Sequence, residues 1–136
     1  MSNAAIESAF EEAIVAMSGG MPTEWPNVTF AIPAPNIPYQ SVTFLHADPV
    51  NTEYGPNHRK EGFAQILLRY PRGVGAADIN ARVDAIEGAF KRGRGLLNGP
   101  VAVTIDRTPA TSPPLYIADR YCIPVRIRFF ANITAL

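Results

Sequence analysis

The side chains that most often perform catalysis or bind metals are few in this chain and lie far apart. There are two histidines, His46 and His58, and a single cysteine, Cys122, among 136 residues. Zinc and related sites need ligands at short, repeated spacings, which these three residues do not have. Asp48 follows His46 closely, but a lone His-x-Asp pair is common by chance. We therefore predict no metal site, no catalytic histidine and no bound cofactor.

The potential nucleophiles and the glycines form no catalytic or phosphate-binding motif either. No serine or cysteine stands in a G-x-S-x-G context, which would place it on a strained turn. Gly73 and Gly75 precede a predicted helix, yet the third glycine and the Lys-Ser/Thr pair of a phosphate-binding loop are missing. The carboxylates are scattered, and none of them forms a pair spaced for acid-base chemistry. The chain is predicted not to be an enzyme.

Charge and hydropathy narrow the range of partners. Twelve Lys and Arg residues balance twelve Asp and Glu residues, so the formal net charge is zero. This balance disfavours a strongly basic nucleic-acid binder, and no sequence-specific binding to nucleic acid is expected. The longest apolar runs are shorter than the ~20 residues of a membrane span, and the acidic N-terminal stretch is unlike a signal peptide. A protein of the reducing cytoplasm is expected, with Cys122 as a buried thiol.

Hydrophobic periodicity predicts two helices. Apolar residues recur at helical spacing from Ile6 to Met17, before a glycine pair that ends the pattern. A second apolar stripe runs through residues 76–90, with Asp78 near its start and basic residues at its end, as the helix dipole favours. Both stripes are interpreted as faces that pack against a core.

Five segments rich in β-branched and aromatic residues are predicted to be strands. They are residues 28–32, Tyr39–His46, 63–70, 101–106 and 121–129. Prolines on both sides of the first segment favour a position at the edge of a sheet. Apolar residues on both faces of 63–70 favour a central strand, whose second face is either half-wet or an interface between subunits. Residues 93–100 and the Pro-rich stretch 107–114 are interpreted as connections.

The segment 48–60 is the longest predicted loop. It is polar, contains two prolines and a glycine, and shows no periodicity. It is too long for a tight hairpin turn, and loops of this length in compact domains are usually functional or disordered. We interpret it as a β-hairpin arm or mobile loop between the second and third strands.

These elements predict one α+β domain that spans residues 1–136, in the order α-β-β-β-α-β-β. The simplest arrangement is a two-layer sandwich, with a mainly antiparallel or mixed sheet of about four to five strands and both helices on one face. The other face of the sheet would then be covered by water, a partner or a ligand.

Six stretches of the chain carry a resemblance to a known family. They are a starting helix IESAFEEAIVAM, a Trp-Pro joint leading into NVTF, the strand YQSVTFLHAD, the segment HRKEGFAQILLRYP, the helix AADINARVDAIEGAF and a final strand DRYCIPVRIRFFANI. In order and character these elements resemble the tail-terminator, or tail-completion, proteins of long-tailed bacteriophages and prophages. The resemblance covers nearly the full length and depends on no catalytic motif.

The resemblance implies a structural virion protein that acts by assembly. Subunits of such proteins form a ring, usually a hexamer, which caps the tail tube, stops tube polymerisation and presents a surface to the head. The implied partners are further copies of the chain, the tail tube protein and a head-tail connector protein. The implied location is the host bacterial cytoplasm during assembly and the virion tail afterwards.

Candidate contact residues come mainly from the long loop, which commonly faces the tube or the channel in such proteins. They are Glu53, Tyr54, His58, Arg59, Lys60 and Glu61, with Arg69 and Arg72 as further candidates. Charged residues in a protein-protein contact set its register and the choice of partner more than its affinity.

Two alternatives remain open from the sequence. A head-completion or connector protein of the same virion has a similar size and a neighbouring role. A small ligand-binding or enzymatic α+β domain would instead use the uncovered sheet face as a pocket. Only Gln65, Arg69, Arg126 and Arg128 suggest the convergent polar groups that such a pocket needs.

Overall fold

The computed structural model describes residues 2–18, 21–48, 51, 58–98 and 101–133. It contains two helices, α1 (Ser2–Ser18) and α2 (Ala77–Ala89). The strands are β1 (Thr23–Glu24), β2 (Tyr39–His46), β3 (His58–Pro71), β4 (Gly95–Asn98), β5 (Val101–Ile105), β6 (Ala110–Thr111), β7 (Leu115–Ile117) and β8 (Arg120–Ile133). The α+β class predicted from the sequence is confirmed.

All eight strands belong to one sheet, built around the long pair β3 and β8. The order is β1-β2-β3-β8-β5-β4, and the short strands β6 and β7 also pair with β8. Every pairing is antiparallel except that of β1 with β2. Fourteen residues of β3 align with fourteen of β8, from His58 opposite Ile133 to Pro71 opposite Arg120. This long ladder is the frame on which the rest of the chain is placed.

Both helices pack on the same face of the sheet and form one core with it. Alternate residues of β3 (Ala64, Ile66 and Leu68) are fully buried beneath them. Phe10 of α1 lies at the centre, with its ring centroid 5.9 Å from Phe44, 5.9 Å from Phe90 and 5.2 Å from Phe129. The α2 stripe contributes Ile79, Val83 and Ile86 to the same cluster. The apolar stripes predicted from the sequence are therefore the sides of the two helices that face the core.

Several sequence-based boundaries were wrong, and the predicted strand count was too low. Residues 28–32 are not a strand; the edge position belongs to β1, which hydrogen-bonds alongside β2. The β-branched residues there are flanked by prolines that cannot donate to a ladder, and most of them remain exposed. The predicted connections at 93–100 and 107–114 contain β4 and β6 instead. These short strands form because neighbouring β5 and β8 offer unpaired edges, which local propensity does not reveal.

The long loop is also shorter than predicted. Residues His58, Arg59 and Lys60 lie in β3 and pair with the end of β8. The connection between β2 and β3 therefore spans residues 47–57, most of which fall outside the described residues. Gly62 of β3 lies so close to β2 that a Cβ atom there would overlap the carbonyl oxygen of Leu45.

Candidate protein-binding surface on the sheet

The side of the sheet that faces away from the helices carries most of the polar candidates. Side chains alternate along a strand, so residues next to buried core positions point to this opposite side. Cross-strand register groups them in rows: Thr43, Gln65 and Arg126 form one row across β2, β3 and β8. We call this side the outer sheet face. It divides into a covered half and an open half.

The covered half lies at the Tyr39 end, where the Pro-rich segment 25–38 folds over it. Arg120 is the anchor of this segment and is only 6% exposed. Its guanidinium donates to the carbonyl oxygens of Ile37 at 2.6 Å, Ala34 at 2.9 Å and Pro33 at 3.1 Å. The same group lies over the ring of Tyr39, 4.6 Å from the centroid. A planar five-donor group suits several carbonyls at once, which explains why an arginine occupies this position.

Arg69 belongs to the same covered half and is held within the chain. Its Nε donates to Ser41 Oγ at 3.0 Å, and Ser41 donates in turn to Glu24 Oε1 at 2.8 Å. Its guanidinium also lies 5.6 Å from the ring centroid of Tyr39. The contacts seen for Arg69 therefore connect β1, β2 and β3 to one another.

Cys122 lies beneath this network and is fully buried. Burial raises the pKa of its thiol, and the positive charge of Arg69 opposes that shift. A thiol whose pKa is raised is mostly protonated near neutral pH and is a poor nucleophile.

The open half of the outer sheet face combines arginines with aromatic rings and one exposed leucine. Leu45 is 57% exposed, and Arg126 and Arg128 are both exposed. The guanidinium of Arg126 lies 5.1 Å from the ring centroid of Phe63. At the end of the sheet Arg59 lies 4.3 Å from the ring centroid of Phe130. Such cation–π stacks extend the arginines flat along the surface and keep their edges available for hydrogen bonds.

The candidate contact residues occupy three different environments. Glu53 and Tyr54 lie outside the described residues. His58 begins β3, Arg59 also bonds to Asn132, and Glu61 is half-buried on the outer sheet face. Lys60 instead lies on the helical side, where its Nζ donates to Asn3 Oδ1 at 2.8 Å. Arg72 sits in the turn after β3, over the ring of Tyr116. The structure thus brings Arg59 and Glu61 onto one surface and directs Lys60 and Arg72 elsewhere.

The remaining titratable groups are tied into the fold. His46 Nε2 lies 2.9 Å from Glu7 Oε2, and this contact joins β2 to α1. Burial raises the pKa of Tyr70, which lies near Arg82, and burial lowers the pKa of Arg82 itself. Gln40 is fully buried and donates to Thr23 Oγ1 at 2.9 Å. Sequence patterns gave no sign of these contacts, because each depends on side chains distant in the chain.

Nothing in the described part of the chain has the arrangement of a metal site or a membrane span. Groups of three or more His, Cys, Asp or Glu residues placed to hold a metal are absent from it. None of its helices is long and apolar enough to cross a membrane. A cavity of about 320 Å³ lies at the turn after β3, lined by Pro71, Gly73, Gly75, Ala76, Tyr116 and Tyr121. The four polar residues considered for a ligand pocket do not line that cavity.

Comparison with known proteins places the chain in a family. The family model described as phage tail terminator protein matches residues 3–129, which is nearly the whole chain. No curated protein matches. Several solved protein chains are similar in fold, and one of them has a TM-score of 0.80 and 19% sequence identity over 100% of this chain and 99% of that chain.

The chain belongs to the phage tail terminator family. The resemblance seen in its order of elements is thereby confirmed. The family is structural, so the protein is a component of a phage tail. Arginine and aromatic residues, which are enriched in protein interfaces, lie together on the outer sheet face beside the exposed Leu45.

Proposed function

We propose that this protein caps the phage tail tube as a ring of identical subunits. The ring stops the tube from polymerising further and offers its other side to the head. The observation that carries the proposal is the family match over residues 3–129. Assembly takes place in the host bacterial cytoplasm, and the ring then remains in the virion tail.

The open half of the outer sheet face supports assembly as the mode of action. Exposed apolar groups on a sheet face favour a binding surface when they cluster, and Leu45, which is 57% exposed, lies on the same face as the half-buried Phe63. Arginine and aromatic residues are enriched in protein interfaces relative to the rest of a protein surface. A closed ring requires a heterologous contact, in which two different patches of each subunit meet.

The partners in this proposal are further copies of the chain, the tail tube protein and a head-tail connector protein. The loop 47–57 with Glu53 and Tyr54, and the adjoining residues His58 and Glu61, make contacts to a neighbour or to the tube. Arg59 on the outer sheet face and Lys60 on the helical side adjoin this loop and make further contacts on either side of the sheet. Reversing both charges (Arg59→Glu with Lys60→Glu) should weaken docking on tubes while the monomer stays folded.

The experiment mixes purified protein with growing tail tubes and measures tube length by negative-stain electron microscopy. Capping predicts shorter tubes with a ring of extra density at one end, whereas tubes of unchanged length with bare ends would contradict it. The double variant at Arg59 and Lys60 should cap poorly, with its circular dichroism unchanged. A matched variant, Arg92→Glu with Arg107→Glu, carries the same charge change at exposed positions outside this contact. Equal capping by both variants would overturn the assignment of Arg59 and Lys60.

A further inference from the structure

The two helices carry mostly negative charge, with Lys60 of β3 as a cation on the same side of the sheet. The helices α1 and α2 contain six carboxylates and one arginine. The carboxylates are Glu7, Glu11, Glu12, Asp78, Asp84 and Glu87. Glu7 contacts His46, but within the described residues the other five have no basic partner at salt-bridge distance. Arg82 does not offset them at the surface, because it is half-buried and directed toward Gln40.

The open half of the outer sheet face has the opposite sign. Strands β3 and β8 contribute Arg59, Arg126 and Arg128 to it against one carboxylate, Glu61. Asp106, which follows β5 and donates its backbone N–H to the carbonyl of Arg128, lowers the net positive charge but does not reverse it. None of the three arginines lies at salt-bridge distance from a carboxylate in the described part of the chain. Two sets of unpaired charges of opposite sign therefore stand on opposite sides of one sandwich.

We propose that the open half of the outer sheet face binds the helical layer of a second copy of this chain. This inference rests on the proposed function and specifies which two surfaces meet between ring neighbours. The charge complementarity identifies the occupant: the basic sheet face of one subunit faces the acidic helices of the next. Because the two surfaces are different, the contact is heterologous and repeats from subunit to subunit, as a ring requires.

The shape of the helical layer permits close approach. The exposed side of α2 presents small residues at helical spacing, with Ala77, Ala81, Ala85 and Gly88 in succession. A neighbour's side chains can reach the α2 backbone there, beside Asp84. On the other surface, stacking on Phe63 extends the guanidinium of Arg126 along the sheet. An extended arginine loses less side-chain freedom when it pairs with a carboxylate.

A charge-swap experiment tests this contact directly. The sheet variant carries Arg126→Glu and Arg128→Glu, and the helix variant carries Glu11→Lys and Asp84→Lys. All four side chains are exposed, so both variants should fold, as circular dichroism and thermal melting verify. Self-association is measured by native mass spectrometry and sedimentation velocity over a concentration series, at about 50 mM and about 500 mM salt.

Each variant alone should associate at least about tenfold more weakly than the wild type, because like charges then face each other. An equimolar mixture of the two should regain association. The acidic helices of the sheet variant fit the basic sheet of the helix variant, and the basic helices of the helix variant fit the acidic sheet of the sheet variant. High salt should weaken wild-type association. The inference would be overturned if the sheet variant alone and the helix variant alone both associated like the wild type, or if their mixture showed no recovery.

The control and the tail-tube assay separate this inference from the proposed function. The control variant Arg92→Glu with Arg107→Glu has the same net charge as the sheet variant and should associate like the wild type. If the control lost association as the sheet variant does, the effect would come from net charge and the inference would be overturned. If the wild type is monomeric alone, the same variants are compared on tail tubes. Capping that ignores the charge swap overturns only the inference. Charge-dependent association that leaves tube length unchanged overturns only the proposed function, and a wild type monomeric with and without tubes overturns both.

Discussion

Arg120 is the position at which a single substitution should detach a whole segment from the sheet. Its three hydrogen bonds and its stack on Tyr39 fasten residues 33–37 to the end of β8. Replacing it by methionine keeps much of the apolar stem but removes the charge and all three bonds. We expect the segment 25–38 to open while the core beneath the helices stays intact.

The magnitude follows from the contacts. Hydrogen bonds to a charged group contribute about 1.5–3 kcal/mol each. The three carbonyls lie in a surface segment and can bind water after the substitution, and the buried guanidinium no longer has to be desolvated. We therefore expect a net loss of about 2–4 kcal/mol, well below the sum of the three bonds. An unfolding entropy of about 2.1 cal/mol/K per residue over 136 residues converts this loss to a fall in Tm of about 7–14 °C.

Thermal unfolding and amide hydrogen exchange measure the two effects separately. Amides of residues 25–38 should exchange much faster in Arg120→Met, whereas those of β3 should change only by the global loss of stability. Arg120→Lys should recover only part of the effect, because one ammonium group cannot reach three carbonyls in the same fixed geometry. The matched control is Arg126→Met, at an exposed position of the same strand. A Tm within 2 °C of the wild type, with unchanged exchange in 25–38, would refute the anchoring role of Arg120.

Three further predictions concern the core and the buried thiol. Phe10→Ala should cost about 3–5 kcal/mol in denaturant unfolding, because it empties the centre of an aromatic cluster, whereas the exposed Val15→Ala should change stability by less than about 0.5 kcal/mol; equal effects would contradict the placement of α1. Gly62→Ala should destabilise the protein by about 1–3 kcal/mol through overlap with the Leu45 carbonyl, and a neutral result would contradict that close approach. Cys122 should react with a thiol reagent at pH 8 only as fast as the protein unfolds, because the thiol is buried and its pKa is raised; rapid labelling of the folded protein would contradict this burial. Because the folded state holds the thiol proton more tightly than the unfolded state, the free energy of unfolding should also fall as pH rises above about 9.

Local patterns were sufficient for the elements that bury a continuous apolar stripe. The helical period of Phe10 and Ile14 and that of Ile79 and Ile86 each predicted a helix, and Tyr39–His46 was predicted as a strand with its observed bounds. Apolar residues on both faces of 63–70 predicted a central strand, which the pairing of β3 with β2 and β8 confirms. The secondary structure of such segments can be predicted from their own sequence, because burying one continuous apolar face requires the same backbone conformation at every residue.

The same reasoning failed where pairing depends on a neighbour. The strands β4, β6 and β7 are two to four residues long. The segments that contain β4 and β6 were interpreted as connections, and β7 was not predicted. These short strands form because β5 and β8 present backbone groups that need partners, and residues 28–32 remain irregular because prolines interrupt their ladder. The loop boundary at Lys60 was misplaced for a related reason: three polar residues extend β3 because β8 continues opposite them.

The sequence by itself determined the α+β class, both helices, the central strand and the family resemblance, because these depend on periodicity and on the order of elements along the chain. Only the tertiary structure decided which arginines share a surface. Arg69, Arg120 and Arg126 are alike in the sequence, yet Arg69 links three strands, Arg120 is buried under a Pro-rich segment and Arg126 remains exposed. The segregation of acidic helices from a basic sheet face has the same origin. Net charge is a sum over the chain, whereas the field that a partner meets depends on where folding places each charge.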